Sequence, residues 1–238
     1  MLDYLWSDGP RLKQQSGVFR LGTDSIMLAH FVSSSDCKKR SAVDLGTGAG
    51  ILPLILTWNN PTLRVDAIDI QPEAVQLARE NLNINSLSEK VNIFEGDLRC
   101  HREFFGAGAY DFVVSNPPYY PSGSGKLPED VGIMTARSEV FCTLDDICKA
   151  AGYLTRWGGS FMLIHKPERL ADIFRSMNIY GFEPKRLRFV SHKSDAPPNL
   201  VLVEGRRGGK SSLQVEAPLI LMDEDGCDTD EVRAIYRR

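Results

Sequence analysis

Residues 115–119 read Ser115-Asn116-Pro117-Pro118-Tyr119, a run whose residue types could grip a planar amine. Two successive prolines restrict φ and remove two N–H donors, and Pro118 pushes Pro117 into an extended conformation. The backbone then offers carbonyl oxygens in a rigid array. Asn116 sets a side-chain carbonyl beside them, so both hydrogens of an –NH2 group could be accepted at once. Tyr119 supplies an aromatic plane for the ring that bears the amine. The chemistry this suits is alkylation of a weakly nucleophilic exocyclic amine. Two acceptors on its hydrogens favour pyramidalisation and aim the lone pair at an electrophilic carbon. No strong general base is required, and holding the partners in line can be worth about 7–11 kcal/mol.

A second constellation is Asp44-Leu45-Gly46-Thr47-Gly48-Ala49-Gly50. Glycines at a strand-to-helix turn let the backbone bend tightly and approach a ligand. The spacing is GxGxG, with Ile51 where the dinucleotide fingerprint would carry its third glycine. Asp69 follows 23 residues after Gly46, where a carboxylate can accept ribose hydroxyls. Asp97, in Gly96-Asp97-Leu98, comes one strand further out, where an adenine amine could be held. Each aspartate alone could equally be a turn or helix-cap residue; the three spacings together point to a nucleoside site.

These groups need a scaffold that delivers them to one edge. From residue 41 strand-like and helix-like segments alternate, which predicts a mostly parallel sheet with helices on both faces. Strands are expected at Ser41–Leu45, Arg64–Ile70, Val91–Phe94, Asp111–Ser115 and Ser160–His165, and a hairpin at Arg186–Val190 and Leu200–Glu204. Leu213–Met222 reads as an extra strand interrupted by Pro218. Helices are expected at Gly50–Trp58, Pro72–Asn83, Glu168–Ile179, and at Leu144–Thr155 closed by Gly158-Gly159. Thr23–Val32 looks like a capped amphipathic helix. Tyr119–Met134 has no periodicity, and as a long loop directly after the proline run it is expected to be a lid. Its GSGK fragment lacks the first glycine and the Ser/Thr of a phosphate loop.

The 238 residues are 42% apolar and 25% charged, ordinary values for a folded chain with one core. The longest apolar run, Ile51–Leu56, is far too short to span a bilayer. The first 15 residues show neither basic start nor apolar stretch, so the expectation is a cytoplasmic protein without membrane contact. Five cysteines without paired spacing read as reduced thiols, and four histidines without ligand spacing predict no metal. Net charge is −3, yet residues 149–210 carry 12 Lys+Arg against 5 Asp+Glu. That excess reads either as solvated strand ends or as a phosphate-facing patch.

VDLGTGAG, AIDIQPEA and EGDL resemble the first three motifs of the Rossmann-like, class I S-adenosylmethionine-dependent methyltransferases. NPPY resembles the signature of the members that act on planar amino nitrogens. The resemblance implies an α/β fold, a seven-stranded mostly parallel sheet with an antiparallel last strand, and S-adenosylmethionine as cofactor. It implies cofactor contacts from Asp44, Gly46, Thr47, Gly48, Gly50, Asp69, Ile70, Asp97, Leu98 and Asn116. Asn116, Pro117, Pro118 and Tyr119 take the catalytic role. Gln15, the stretch Phe19 to Ser25 (with its Gly22-Thr23-Asp24) and Ala136-Arg137-Ser138-Glu139 are similar to the bacterial tRNA1(Val) adenine-37 N6-methyltransferase-like family. So are Leu200–Gly209 and Pro218–Leu221. That likeness implies that residues 1–40 pack over the cofactor, with Thr23 among its contacts. It makes 41–210 the methyltransferase domain and 211–238 an extension of it. The expected substrate contacts are Tyr119, Tyr120 and Arg137, joined by Lys185, Arg186 and Arg188 from the basic stretch. The expected reaction is methyl transfer to adenine N6 in tRNA. Guanine-N2 in ribosomal RNA, adenine in DNA or a protein glutamine are the alternatives, and a non-enzymatic cofactor- or RNA-binding module is disfavoured by the complete NPPY. Oligomeric state is not readable from the sequence.

Overall fold

Strand register places the chemistry. In the computed structural model, which describes residues 2–13, 23–119 and 142–237, nine strands form one sheet. They are β3 (Ser41–Leu45), β4 (Arg64–Asp69), β5 (Val91–Glu95), β6 (Tyr110–Ser115), β7 (Thr155–His165), β8 (Phe182–Ser191), β9 (Leu200–Arg207), β10 (Gln214–Val215) and β11 (Leu219–Ile220). The main order is β8-β9-β7-β6-β3-β4-β5. All of these run parallel except β9, which is antiparallel to both β7 and β8. The seven expected strands are therefore present. The two additional ones are short: Pro218 splits the expected Leu213–Met222 strand into β10 and β11, each pairing in parallel with β8.

Alternation along the strands builds two cores. Ala42, Phe112, Val114, Met162, Ile164 and Leu202 face one side, and Val43, Leu45, Val113, Phe161, Leu163 and Val203 face the other. The first side is covered by α1 (Thr23–Ser33), α2 (Ile51–Asn59) and α3 (Pro72–Ile84). The other is covered chiefly by α5 (Leu144–Leu154) and α6 (Leu170–Ile179). A short α4 (His101–Phe104) follows β5, and α7 (Asp230–Tyr236) closes against α1. β6 is buried throughout, as a central parallel strand must be. Among the described residues no helix is long and apolar enough to cross a membrane.

Two expectations change, and one feature was not foreseen. α1 is not amphipathic: Ser25 through Ala29, Phe31 and Val32 are all buried, because the helix is wedged between α2, α7 and β7. A helix enclosed by neighbours has no solvent face to mark with polar residues. The α5 helix stops at Leu154 and β7 begins at once, so Gly158 and Gly159 lie inside the strand, where the β6–β7 register shifts, rather than after the helix. The N-terminal stretch contributes a hairpin, β1 (Leu2–Tyr4) with β2 (Arg11–Lys13), invisible as periodicity because each strand has three residues. It is tied to α3 by Asn85 Oδ1, which accepts from the Arg11 N–H at 2.8 Å, and by Asn81 Oδ1, which accepts from the Lys13 N–H at 2.7 Å.

Candidate active site

Strand order reverses direction between β3 and β6, and their carboxyl ends open side by side. Open α/β sheets bind ligands at such a switch point. The Ser115 hydroxyl donates to the Leu45 carbonyl at 2.8 Å and ties the two strand ends together. The glycine turn after β3 and the proline run after β6 thus share one rigid base.

The glycine turn folds over β4. The N–H groups of Gly46 and Thr47 donate to the Ile68 carbonyl at 2.9 and 3.1 Å, and the Gly48 N–H donates to Asp69 Oδ2 at 2.8 Å. Gly46, Gly48 and Gly50 have φ of 78°, 55° and 75°, values that exact a strain from any residue with a Cβ. Gly50 carries a second constraint: a Cβ there would stand 2.9 Å from the Ala78 Cβ of α3. It therefore performs the close-packing task of the missing third glycine, one residue earlier. Asn81, fully buried, holds the turn from behind by donating to the Ala49 carbonyl at 3.0 Å. No motif singled out Asn81; its polar side chain on the buried face of α3 was the only available signal.

Asp44 is completely buried at the end of β3, and among the described residues neither carboxylate oxygen has a hydrogen-bond partner. The Thr47 hydroxyl, also buried, is likewise without a close partner among the described residues. Burial pushes the Asp44 carboxyl up to about 7; the nearby Thr47 hydroxyl offsets part of the shift and the Asp69 charge adds to it. Asp69 is also raised by burial, although the Gln71 and Gly48 N–H groups stabilise its charge. Beside it Ile70 remains 37% exposed, an apolar surface at the same edge. Asp97 differs from both. Its carboxylate caps the short turn after β5 and pairs with the Arg99 guanidinium at 2.5 Å, which holds it below the usual carboxylate range. Leu98 lies half-buried next to it.

At the end of β6, Asn116 Nδ2 donates to the Ser25 hydroxyl at 3.0 Å, and Asn116 Oδ1 accepts from the Tyr119 hydroxyl at 2.8 Å. The same phenol lies 2.5 Å from Asp24 Oδ2. Burial first, and the Asp24 carboxylate second, push the phenol far above its ordinary value, so it remains a donor. The Tyr119 ring packs 5.5 Å from the His165 ring, with Lys166 Nζ 5.4 Å from its centroid. Burial pushes His165 down to about 4, which leaves that imidazole neutral at pH 7. Ser25, Asp24, His165 and Lys166 reach Asn116 and Tyr119 only through tertiary structure, from the start of α1 and the end of β7. Thr23, exposed, begins that same turn of α1.

The expected substrate contacts from the basic stretch need correction. Arg186 is 16% exposed and bonds to Glu204 and Glu216, both at 2.7 Å, while its guanidinium lies 4.2 Å from the Phe31 ring centroid. Arg188 is bound to Glu231 at 2.8 Å and to the Ala217 carbonyl. Both are neutralised in the seam between β8 and the C-terminal segment and have no charge to offer a phosphate. Lys185 has no carboxylate partner among the described residues, but its ammonium bonds to the Lys210 carbonyl and the Ser212 hydroxyl, away from the catalytic edge. Tyr120 with the remainder of the expected lid, and Arg137 after it, lie outside the described residues.

Comparison with known proteins agrees with this geometry. A family model described as a methyltransferase small domain matches residues 10–130. A protein of Flavobacteriaceae bacterium (strain 3519-10), named tRNA1(Val) (adenine(37)-N6)-methyltransferase, is 30% identical over 199 residues, covering 77% of this chain and 82% of that protein. A protein of the same name from Tolumonas auensis is 30% identical over 193 residues, covering 81% and 78%. A solved structure of a predicted O-methyltransferase from Agrobacterium tumefaciens superposes with a TM-score of 0.73 at 20% identity, covering 90% of this chain and 95% of that one, a likeness of fold.

Proposed function

The chain belongs to the methyltransferase small domain family, and we propose that it moves a methyl group from S-adenosylmethionine to the N6 amine of an adenine in tRNA. The residues present fit that cofactor. The glycine turn is held open by its three positive φ angles, and Asp44 beside it is a buried carboxylate with the Thr47 hydroxyl nearby and no hydrogen-bond partner on its oxygens among the described residues. A cationic ammonium would complete Asp44 and hold it ionised. Asp69 would accept from ribose hydroxyls, and Ile70 and Leu98 would flank the base. Asp97 would take the base amine in competition with Arg99. When bound, the cofactor supplies a methyl group already activated on a sulfonium. Residues 41–210 form the catalytic domain in this reading, with 1–40 over the cofactor and 211–238 as an extension.

Asn116 is the observation that carries the reading. Its amide is oriented by Ser25, so the oxygen and not the nitrogen is presented, and Pro117 stands beside it without an N–H. The Tyr119 hydroxyl donates to that oxygen. Asp24 lies close enough to keep the phenol hydrogen-bonded when Asn116 turns to an incoming amine, so the exchange strands no buried donor. Tyr119 would then offer its ring to the adenine, and base–aromatic contacts of this kind contribute about 1–3 kcal/mol. The neutral His165 adds no charge against the substrate amine. The proton leaves the amine after the N–C bond forms.

The test is transfer of labelled methyl from S-adenosylmethionine to an unmodified tRNA transcript, followed by nucleoside mass spectrometry. N6-methyladenosine is expected. Asn116→Ala is expected to reduce turnover by about 100-fold or more, with cofactor affinity nearly retained. Label arriving only on a protein acceptor refutes the reading.

A further inference from the structure

Cations on β8, on β9 and just after it divide into two sets. Arg186 and Arg188 are fully paired, whereas Lys185, Arg206, Arg207 and Lys210 have no carboxylate within salt-bridge distance among the described residues. The unpaired four gather where β9 ends and β8 begins. Arg207 stands opposite Phe182 in register, and Arg206 opposite Glu183 without closing an ion pair. Lys185 reaches across to the Lys210 carbonyl. Beside the turn that follows β9, Trp157, at the start of β7, is 76% exposed, the most exposed large apolar side chain among the described residues. Its ring lies against the backbone of Gly208: a Cβ there would stand 2.2 Å from the ring, and Gly208 has φ of 66°. One face of the indole is thus backed by main chain while much of its surface is left to solvent.

We infer that Trp157 with Arg206, Arg207, Lys185 and Lys210 forms a second contact surface for the RNA substrate, at the sheet edge opposite the catalytic one. It rests on the proposed tRNA reading and extends it. Unneutralised guanidinium and ammonium groups match phosphates, and a backed aromatic plane matches a base or sugar; together they describe a folded polyanion rather than an apolar partner. Trp157 lies eight residues before His165 along β7, a span of about 25 Å. An RNA whose reactive base sits at Asn116 must therefore extend over the outside of the molecule by about that length to reach it, which a stem can do and a free nucleoside cannot.

The experiment measures affinity for the unmodified tRNA transcript across a salt series, using Trp157→Ala and the double variant Arg206→Ala/Lys210→Ala. Thermal melting and calorimetric titration with S-adenosylmethionine serve as controls of fold and site. The double variant is expected to flatten the slope of log affinity against log salt by about 1.5, two phosphate contacts' worth. Trp157→Ala is expected to weaken binding about 10-fold with the slope retained. Cofactor affinity should be unchanged in both. If wild type methylates the transcript while both variants bind it as wild type does, this surface is wrong and the adenine reading stands. If wild type neither binds nor methylates RNA, both fall. Variants that alter only the sedimentation of the protein alone would assign the surface to a second copy of the chain, and the RNA inference would be overturned.

Discussion

Asp44 is held at a cost. A fully buried carboxylate without a hydrogen-bond partner, as Asp44 is among the described residues, is destabilising unless a ligand completes it. Its folded pKa of about 7 lies above the ordinary carboxylate value, so the folded state binds a proton more tightly than the unfolded one. Its favourable contribution is therefore complete below about pH 4 and is lost as pH rises through 7. Asp44→Asn is expected to raise the melting temperature of the ligand-free protein at pH 8, by a free energy on the order of a few kcal/mol, with the gain shrinking towards pH 4. Cofactor affinity should fall at the same time, and calorimetry at pH 8 checks this. An amide that stabilised equally at every pH would mean that the Asp44 carboxyl titrates in the folded chain as it does in the unfolded one, without a raised value. Tyr119 separates ring from hydroxyl. Tyr119→Phe keeps the plane and frees Asn116 Oδ1, whereas Tyr119→Ala removes both. Binding of the tRNA transcript is expected to weaken about 10-fold in the alanine variant and much less in the phenylalanine one, with cofactor binding similar in all three.

At the scale of elements, two joints hold the site. One is the turn from β3 into α2, where Gly50 meets the left-handed region and the Ala78 Cβ together. Gly50→Ala is expected to destabilise the protein by about 1–3 kcal/mol, from backbone strain and the forced retreat of α3, and to weaken cofactor binding; urea unfolding and calorimetry measure the two losses. The other joint is the start of α1, which reaches the proline run through Ser25 and Asp24. The strands after residue 41, their parallel sense and the glycine turn were legible from local pattern. The hairpin β1–β2 was not, because three-residue strands are too short for periodicity to register, and α1 was misread because burial on all sides leaves no polar stripe. The split of the basic stretch was equally hidden. Arg186 and Lys185 are neighbours in sequence, but the β8 irregularity between Pro184 and Arg186 sends one into a carboxylate seam and leaves the other outside it.

At the scale of the molecule, the C-terminal segment completes the sheet edge rather than trailing from it. β10 and β11 pair with β8, Glu216 and Glu231 neutralise Arg186 and Arg188, and Leu219, Val232 and Ile235 enter the first core. Ending the chain after Lys210 would remove those three side chains, uncover the part of the first core that they pack on, and leave Arg186 with fewer partners. Burial of each such side chain is worth about 1.5–3 kcal/mol, so the loss is expected to exceed roughly 5 kcal/mol, comparable with the whole stability of many domains. Such a truncation is expected to unfold or aggregate at 37 °C although every cofactor motif is intact; circular dichroism melts would show it. A truncated chain that melts like the full one would make the segment an accessory.

Residue identity and spacing determined what depends on a few neighbouring bonds. The prolines restrict their own backbone, the glycines permit their own φ, and alternating apolar residues choose strand and face whatever lies beyond. These are local energies, written in consecutive letters. Tertiary structure alone decided which charges are spent and which are free, that Asn116 is aimed by a serine 91 positions earlier, and that Tyr119 answers to an aspartate on α1. Such outcomes depend on distances between residues remote in the chain, and a Coulomb or hydrogen-bond energy has no value until folding sets those distances.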